Sequence, residues 1–442
     1  MEPPGTPPET DRPQPTRPVV VTRRRLVAVA TLALAGGALS GRVAERAPRP
    51  LVGALPSVER RRRLRIALIE EHATKLRPLL ARFEETYDTA IAVTALAPGD
   101  LYALLAVDVL HETQSFDVVS LSDDWIANLG RSGALVSDQD LVSDESLALA
   151  DDRVSALGRS IEDGRLVAAP WSIDIGFTAV DGAAVRMTDI PSRWSGFAEL
   201  LEGSGLTTLA LPAASGDVAA TTFRAILLGY GTDIVEVETN RPMLTDYVAR
   251  RAVADMRRLL PFTSISPLAI DDRAVDDLLS RGAVSSCAHV WSSTWLEAGA
   301  PASWTLLPPL RASAPRGSSL LRAWLLAIPK TAADIELSRD FVEWMRAPAA
   351  QRSLLDVGLV PSSRAVLGDR EEQTRRPGLA DIVRGLSISR GRPRLRAFTE
   401  INRVCGEAIA AILAGNASAG SAFRTANSEM RRILEREGEL RD

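Results

Sequence analysis

Cysteine is almost missing from this chain. Two occur in 442 residues, Cys287 and Cys405, far apart in sequence. An exported chain could pair them in one disulfide, but both read best as small buried apolar residues. Histidine is as scarce: His72, His111 and His289 are scattered, and with two lone cysteines they form no zinc-like spacing. The chain has no Gly-x-Ser-x-Gly, no phosphate-binding Walker loop and no His-Glu-x-x-His. The common arrangements of nucleophile, base and metal are therefore absent, and no enzyme is expected. An excess of basic charge is missing too. Beyond residue 63 the chain carries 40 basic and 51 acidic groups. Such an acidic body does not suit phosphate-backbone binding, so no nucleic-acid partner is expected.

Hydrophobic content of 46% and charged content of 24% are those of an ordinary globular protein. At 442 residues, two domains are expected. The first 63 residues differ from the rest. They hold twelve arginines and five acids, with seven prolines before residue 21. Thr22-Arg23-Arg24-Arg25-Leu26-Val27 resembles a twin-arginine export signal. The apolar run 26–39 that follows is short for a membrane span and suits the core of a signal segment. An uncleaved N-terminal anchor is the alternative. Leu39-Ser40-Gly41-Arg42 places arginine where a lipidated cysteine would stand, so lipid anchoring is not expected. Residues 1–63 thus read as a disordered basic leader, and the protein as exported and extracytoplasmic.

The remainder reads as alternating strands and helices. Strands fall at 65–69, 90–95 and 116–121, with helices at 74–87 and 101–110 between them, an order that implies a parallel sheet. Asp123, Asp124 and Trp125 follow the third strand, where open α/β sheets bind ligands. Later come Gly164-Arg-Leu-Val-Ala-Ala-Pro-Trp171-Ser-Ile-Asp174, then Trp194-Ser-Gly-Phe-Ala-Glu-Leu-Leu, and Ser215-Gly216-Asp217 opening a helix. The segment 321–366 combines a strand ending in Ile328-Pro329-Lys330, a helix carrying Phe341-x-x-Trp344, and Gly358-x-x-Pro361. Taken in order over residues 64–436, these motifs resemble the extracellular solute-binding proteins of bacterial ABC importers, in the sugar-binding, maltose-binding-like family.

That resemblance implies a two-lobed α/β binding-protein fold of type II, with discontinuous lobes joined by hinge strands. Residues 64–174 and 318–365 would form one lobe, and 175–317 and 366–442 the other. Departures occur at Phe177, where the family usually has a Tyr-Tyr-Asn, and at Arg322-Ala323, where it has a glycine pair. Arg322 would therefore fill the cleft, select an acidic or phosphorylated ligand, or stand on the rim. An iron-binding variant would want neighbouring tyrosines, and Tyr87, Tyr102, Tyr230 and Tyr247 are dispersed.

Sugar recognition combines an aromatic face for the ring with planar polar groups for its hydroxyls. Eight tryptophans stand against four tyrosines and nine phenylalanines. Trp125, Trp171, Trp291, Trp295 and Trp324 fall in segments that the resemblance places around the cleft. Trp171, Trp291 and Trp324 rank first because each is read at a loop end, whereas Trp194 and Trp344 lie on amphipathic helices and read as core. Asp123, Asp124, Asp174, Ser215 and Arg322 complete the candidate ligand set. Trp291 is expected at the cleft mouth before a turn at Ser292-Ser293-Thr294, so its removal should cost affinity and little stability. The expected function is binding of a carbohydrate, without cofactor or metal, by a monomer that delivers it to ABC transporter permease subunits. The alternative is a membrane-tethered sensor that uses the same closure to signal a membrane partner.

Overall fold

A computed structural model of the chain describes residues 61–441, except 131–132, 184–190, 205–207, 215, 298–302, 308–309, 311–317 and 377. The leader, with its signal-like segment 26–39, lies outside the described residues.

Ten strands are described: β1 (Arg62–Ile69), β2 (Thr89–Leu96), β3 (Val118–Ser122), β4 (Ala169–Asp181), β5 (Leu209–Ala210), β6 (Ser286–Trp291), β7 (Trp304–Leu307), β8 (Ser319–Ala327), β9 (Val360–Pro361) and β10 (Ser389–Arg390). The main path runs β2-β1-β3-β8-β4-β6-β5, with β7 and β9 on β4 and β10 on β8. β1 is parallel to both β2 and β3, as the strand–helix–strand order required. The expected helix at 74–87 is two helices, Glu70–Lys75 and Arg77–Thr86. Pro78 explains the break. It lacks an N–H and is tolerated only in a first turn, so a new helix begins at Arg77.

β4 is the element that positions the site. It is thirteen residues long and buried along nearly its whole length. Its first half pairs with β8, Ala169 with Leu326 through to Ile175 with Leu321. Its second half leaves β8 and pairs with β6 and β7, Gly176 lying opposite Trp291. One continuous strand thus belongs to two sheets. Gly176 sits at the changeover, where a Cβ would stand 2.5 Å from the His289 ring.

Two apolar clusters flank this arrangement. The larger gathers β1, β3, β4 and β8 with Phe83, Phe341 and Trp171, and continues to Cys287, Trp295 and Leu379. The other is built on the helices Trp194–Ser204, Gly216–Gly229, Tyr247–Arg258, Phe398–Leu413 and Ala419–Arg436. Both cysteines are free and buried, one in each cluster, so the apolar reading holds.

Within the second cluster Arg224 and Asp233 form a bidentate pair, Nε to Oδ1 at 2.7 Å and Nη2 to Oδ2 at 2.8 Å, with side chains 2% and 3% exposed. The guanidinium also lies 5.1 Å from the Phe398 ring centre. Removing one partner leaves a buried charge without compensation. Asp233→Ala should therefore lower unfolding free energy by about 3–5 kcal/mol, read by urea denaturation. A loss below about 1 kcal/mol, the scale of a surface pair, would show that water reaches the arginine.

Candidate functional site

The polar centre of the molecule lies where β4 changes sheets. Asp174 is 4% exposed and saturated with donors. Oδ1 accepts from Ser292 Oγ at 3.0 Å and from the Ser293 N–H at 2.7 Å. Oδ2 accepts from Ser293 Oγ at 2.9 Å and from Arg322 Nε and Nη2 at 3.1 and 2.9 Å. Strand register puts Arg322 opposite Asp174, so this pair follows directly from sheet geometry. The expected turn at Ser292-Ser293-Thr294 is the start of a short helix, Ser292–Glu297. Its first N–H groups need acceptors, and Asp174 supplies one.

Arg322 reaches further. Nη1 is 3.6 Å from Asp272, and the guanidinium carbon stands 4.0 Å from the centre of the Trp291 ring. Burial disfavours its charge, but Asp174 and Asp272 outweigh that and raise its pKa. Asp272 is the most exposed member of this group, its side chain 42% exposed. Its own pKa is raised, chiefly by desolvation, with Arg322 opposing and Asp217, Asp174 and Glu71 adding to it.

A second polar group stands at the carboxyl end of β3. Asp123 Oδ1 accepts from the Ala323 N–H at 3.0 Å and lies 3.5 Å from Arg392 Nη1, while its Oδ2 has no partner. Asp124 pairs with the same Arg392 nitrogen and accepts from Ser122 Oγ at 2.5 Å and Thr399 Oγ1 at 3.3 Å. The two carboxylates thus converge on one guanidinium, which adjacency in sequence did not suggest. Burial raises the Asp123 pKa, Arg392 opposes this and Asp124 adds to it. Asp123, Asp124 and Arg392 line a small polar pocket, with Leu157 and Arg394 on its walls.

The other expected tryptophans pack inward. Trp171 is wholly buried within β4, not at a loop end, and its Nε1 donates to Ser120 Oγ at 3.3 Å. Trp324 lies within β8, 9% exposed, 5.8 Å from Trp125 and 4.7 Å from His72, centre to centre. Trp295 is 4% exposed against Trp304. Trp291 is also only 4% exposed, so it is not an open platform at a mouth: Arg322 covers it, and His289 meets it at right angles at 4.8 Å. Trp194 and Trp344 pack on the apolar clusters, as their helical spacing indicated. Ser215 lies outside the described residues.

Sequence reasoning missed Asp272, Arg392 and the Lys75–Glu297 contact at 2.5 Å. Asp272 carried a faint signal, standing just after the capping residue Asp271 at a helix start. Arg392 carried none, because it lies 270 residues from Ser122, to which it donates at 2.9 Å.

Two histidines border the site. Both are buried, and burial pushes each pKa down to about 3 from an ordinary 6.5. The unfolded chain therefore takes up two protons between these values that the folded chain refuses. Their contribution is complete above pH 6.5 and is lost as pH falls towards 3. Replacing both with glutamine should flatten the decline in melting temperature across that window. An unchanged slope in the double variant would show that other groups govern it.

A sequence profile of bacterial extracellular solute-binding proteins matches residues 79–379. The chain belongs to that family. No characterised protein matches at the level of sequence alone. Solved structures share the fold. Maltose-bound MalE3 of T. maritima is 16% identical, covers 84% of this chain and 100% of its own, and superposes with a TM-score of 0.74. An ABC transporter solute-binding protein of Agrobacterium radiobacter K84 in complex with ribitol is 17% identical, with coverages of 84% and 98% and a TM-score of 0.74. The GacH receptor of Streptomyces glaucescens, solved unliganded and with acarbose, is 17% identical, with the same coverages and a TM-score of 0.69. The expected α/β binding-protein fold is therefore the observed one.

Proposed function

We propose that this protein is the exported solute-binding component of an ABC importer for a carbohydrate or polyol. The ligand would lie where Asp174, Asp272, Arg322 and Trp291 meet, between lobes 64–174 with 318–365 and 175–317 with 366–442. One observation carries this reading. A single strand, β4, feeds two sheets, and charged, hydrogen-bonding and aromatic groups converge at the changeover within reach of water. The ligands in the similar structures, maltose, ribitol and acarbose, are all polyhydroxylated.

Several ion pairs cross the proposed lobe boundary, among them Lys75–Glu297, Arg322–Asp272, and Arg392 with Asp123 and with Asp124. They favour the closed arrangement, and a ligand touching both lobes adds its differential affinity to them. Exposed members of this set are screened by salt. Arg322 answers the question its sequence position raised. It is neutralised by Asp174 and Asp272, which supports a neutral ligand over an acidic one.

The test is titration calorimetry with mono-, di- and trisaccharides and with polyols, paired with small-angle scattering. A cognate ligand should bind and reduce the radius of gyration. No heat and no compaction across the whole panel would overturn the reading.

A further inference from the structure

The helix Tyr247–Arg258 buries Ala249, Ala252, Val253 and Met256 in the second apolar cluster. Its opposite face carries Tyr247, Arg250, Arg251, Ala254, Arg257 and Arg258, spaced i, i+3, i+4, i+7, i+10 and i+11, and all of them are exposed. Four guanidinium groups thus stand in one stripe.

Exposed arginines elsewhere in the chain are matched within their own helix. Arg403 pairs with Glu407, Arg431 with Glu435 and Arg432 with Glu429. Arg375 and Arg384 pair in the same way with Glu371 and Asp381. Such pairs leave a helix surface with little net charge. On the helix Tyr247–Arg258 only Arg258 has a carboxylate, Asp255 at 3.8 Å, and that carboxylate also accepts from the Tyr230 hydroxyl. Arg250, Arg251 and Arg257 form no ion pair among the described residues. Arg251 meets Tyr230, but burial and Asp255 raise that phenol to about 12, so it stays neutral and cancels no charge. Glu199 and Glu202, exposed on the neighbouring helix Trp194–Ser204, pair with none of the four arginines.

This surplus is set against an acidic background, since the chain beyond residue 63 holds 40 basic and 51 acidic groups. A body of one sign with a single face of the other turns that face towards an opposite charge. The apolar side chains decide between an acidic protein and a lipid surface. Tyr247 is 69% exposed within the stripe, and Ile265 and Leu268, shortly after the helix, are 38% and 36% exposed. Arginine answers lipid head groups, while exposed aromatic and aliphatic side chains enter the layer just beneath them. We infer that this helix face docks on a membrane surface of anionic phospholipid. The inference is independent of which solute the protein binds, so its failure leaves the carbohydrate reading untouched.

Ala254 lies at the centre of the stripe, and Cys287 and Cys405 are 0% exposed, so Ala254→Cys in the full chain accepts a polarity-sensitive dye at one place. The probe is a vesicle of phosphatidylglycerol and phosphatidylcholine, with pure phosphatidylcholine as the comparison. The dye emission should move to the blue and saturate with the anionic vesicles only, and about 1 M salt, which screens charges beyond about 3 Å, should reverse it. Each arginine near such a surface is worth about fivefold in affinity, so Arg250→Gln with Arg257→Gln should weaken binding about ten- to thirtyfold. Vesicle binding with the dye unmoved would show that the basic leader does the binding, and would overturn the inference. An equal response in the double variant, a response to polyglutamate but not to vesicles, or no response at all would overturn it as well.

Discussion

Replacing Asp174 with alanine is expected to destabilise the protein by about 3–5 kcal/mol, the cost of leaving a buried charge unpaired. The carboxylate accepts from Ser292, from both donors of Ser293 and twice from Arg322. Without it Arg322 keeps Asp272 at 3.6 Å and the Trp291 ring, and the helix at Ser292 loses an acceptor at its start. Arg322 retains 21% exposure, so water offsets part of the loss and the lower half of that range is expected. Calorimetry should show a melting temperature lower by roughly 4–5 °C. Adding Arg322→Met should restore part of it, because the orphaned charge goes with the arginine. A double variant no more stable than Asp174→Ala would show that the serine contacts, and not the ion pair, hold this junction together.

Trp291→Ala is expected to lower stability by about 3–5 kcal/mol, the usual result of emptying a large core site. The ring is 4% exposed, packed on Leu228 and Leu320, and covered by Arg322. From sequence it was expected to be an open stacking surface whose loss would spare the fold. The structure reverses the order of effects: stability falls first, and affinity falls because Arg322 loses the surface that holds it at the proposed ligand site. Urea denaturation alongside calorimetric titration separates the two. A stability loss under about 1 kcal/mol with a tenfold or greater loss of affinity would restore the open-platform reading.

Much of the fold was legible because it rests on local pattern. The apolar runs of β1 and β3, the helical spacing of Phe341 and Trp344, and the Gly358 turn all write their structure within a few residues. Pro78 was present as well, but its effect was misjudged: the helix restarts around it. The inward packing of Trp171 and Trp324 was harder to read. Each was read as lying at a loop end, yet each sits inside a strand whose two faces are covered by other parts of the chain.

By itself, the sequence determined the α/β alternation, the acidic body and the order of motifs that marks the family. Those are properties of spacing and composition, and they survive without knowing what touches what. Only the tertiary structure decided that Asp174 is spent on Ser292, Ser293 and Arg322, that Asp123 and Asp124 share Arg392, and that Trp291 is covered. The first two of these join segments more than a hundred residues apart. A charge or a ring takes its role from the partner that folding brings to it, and nothing in its local sequence specifies that partner.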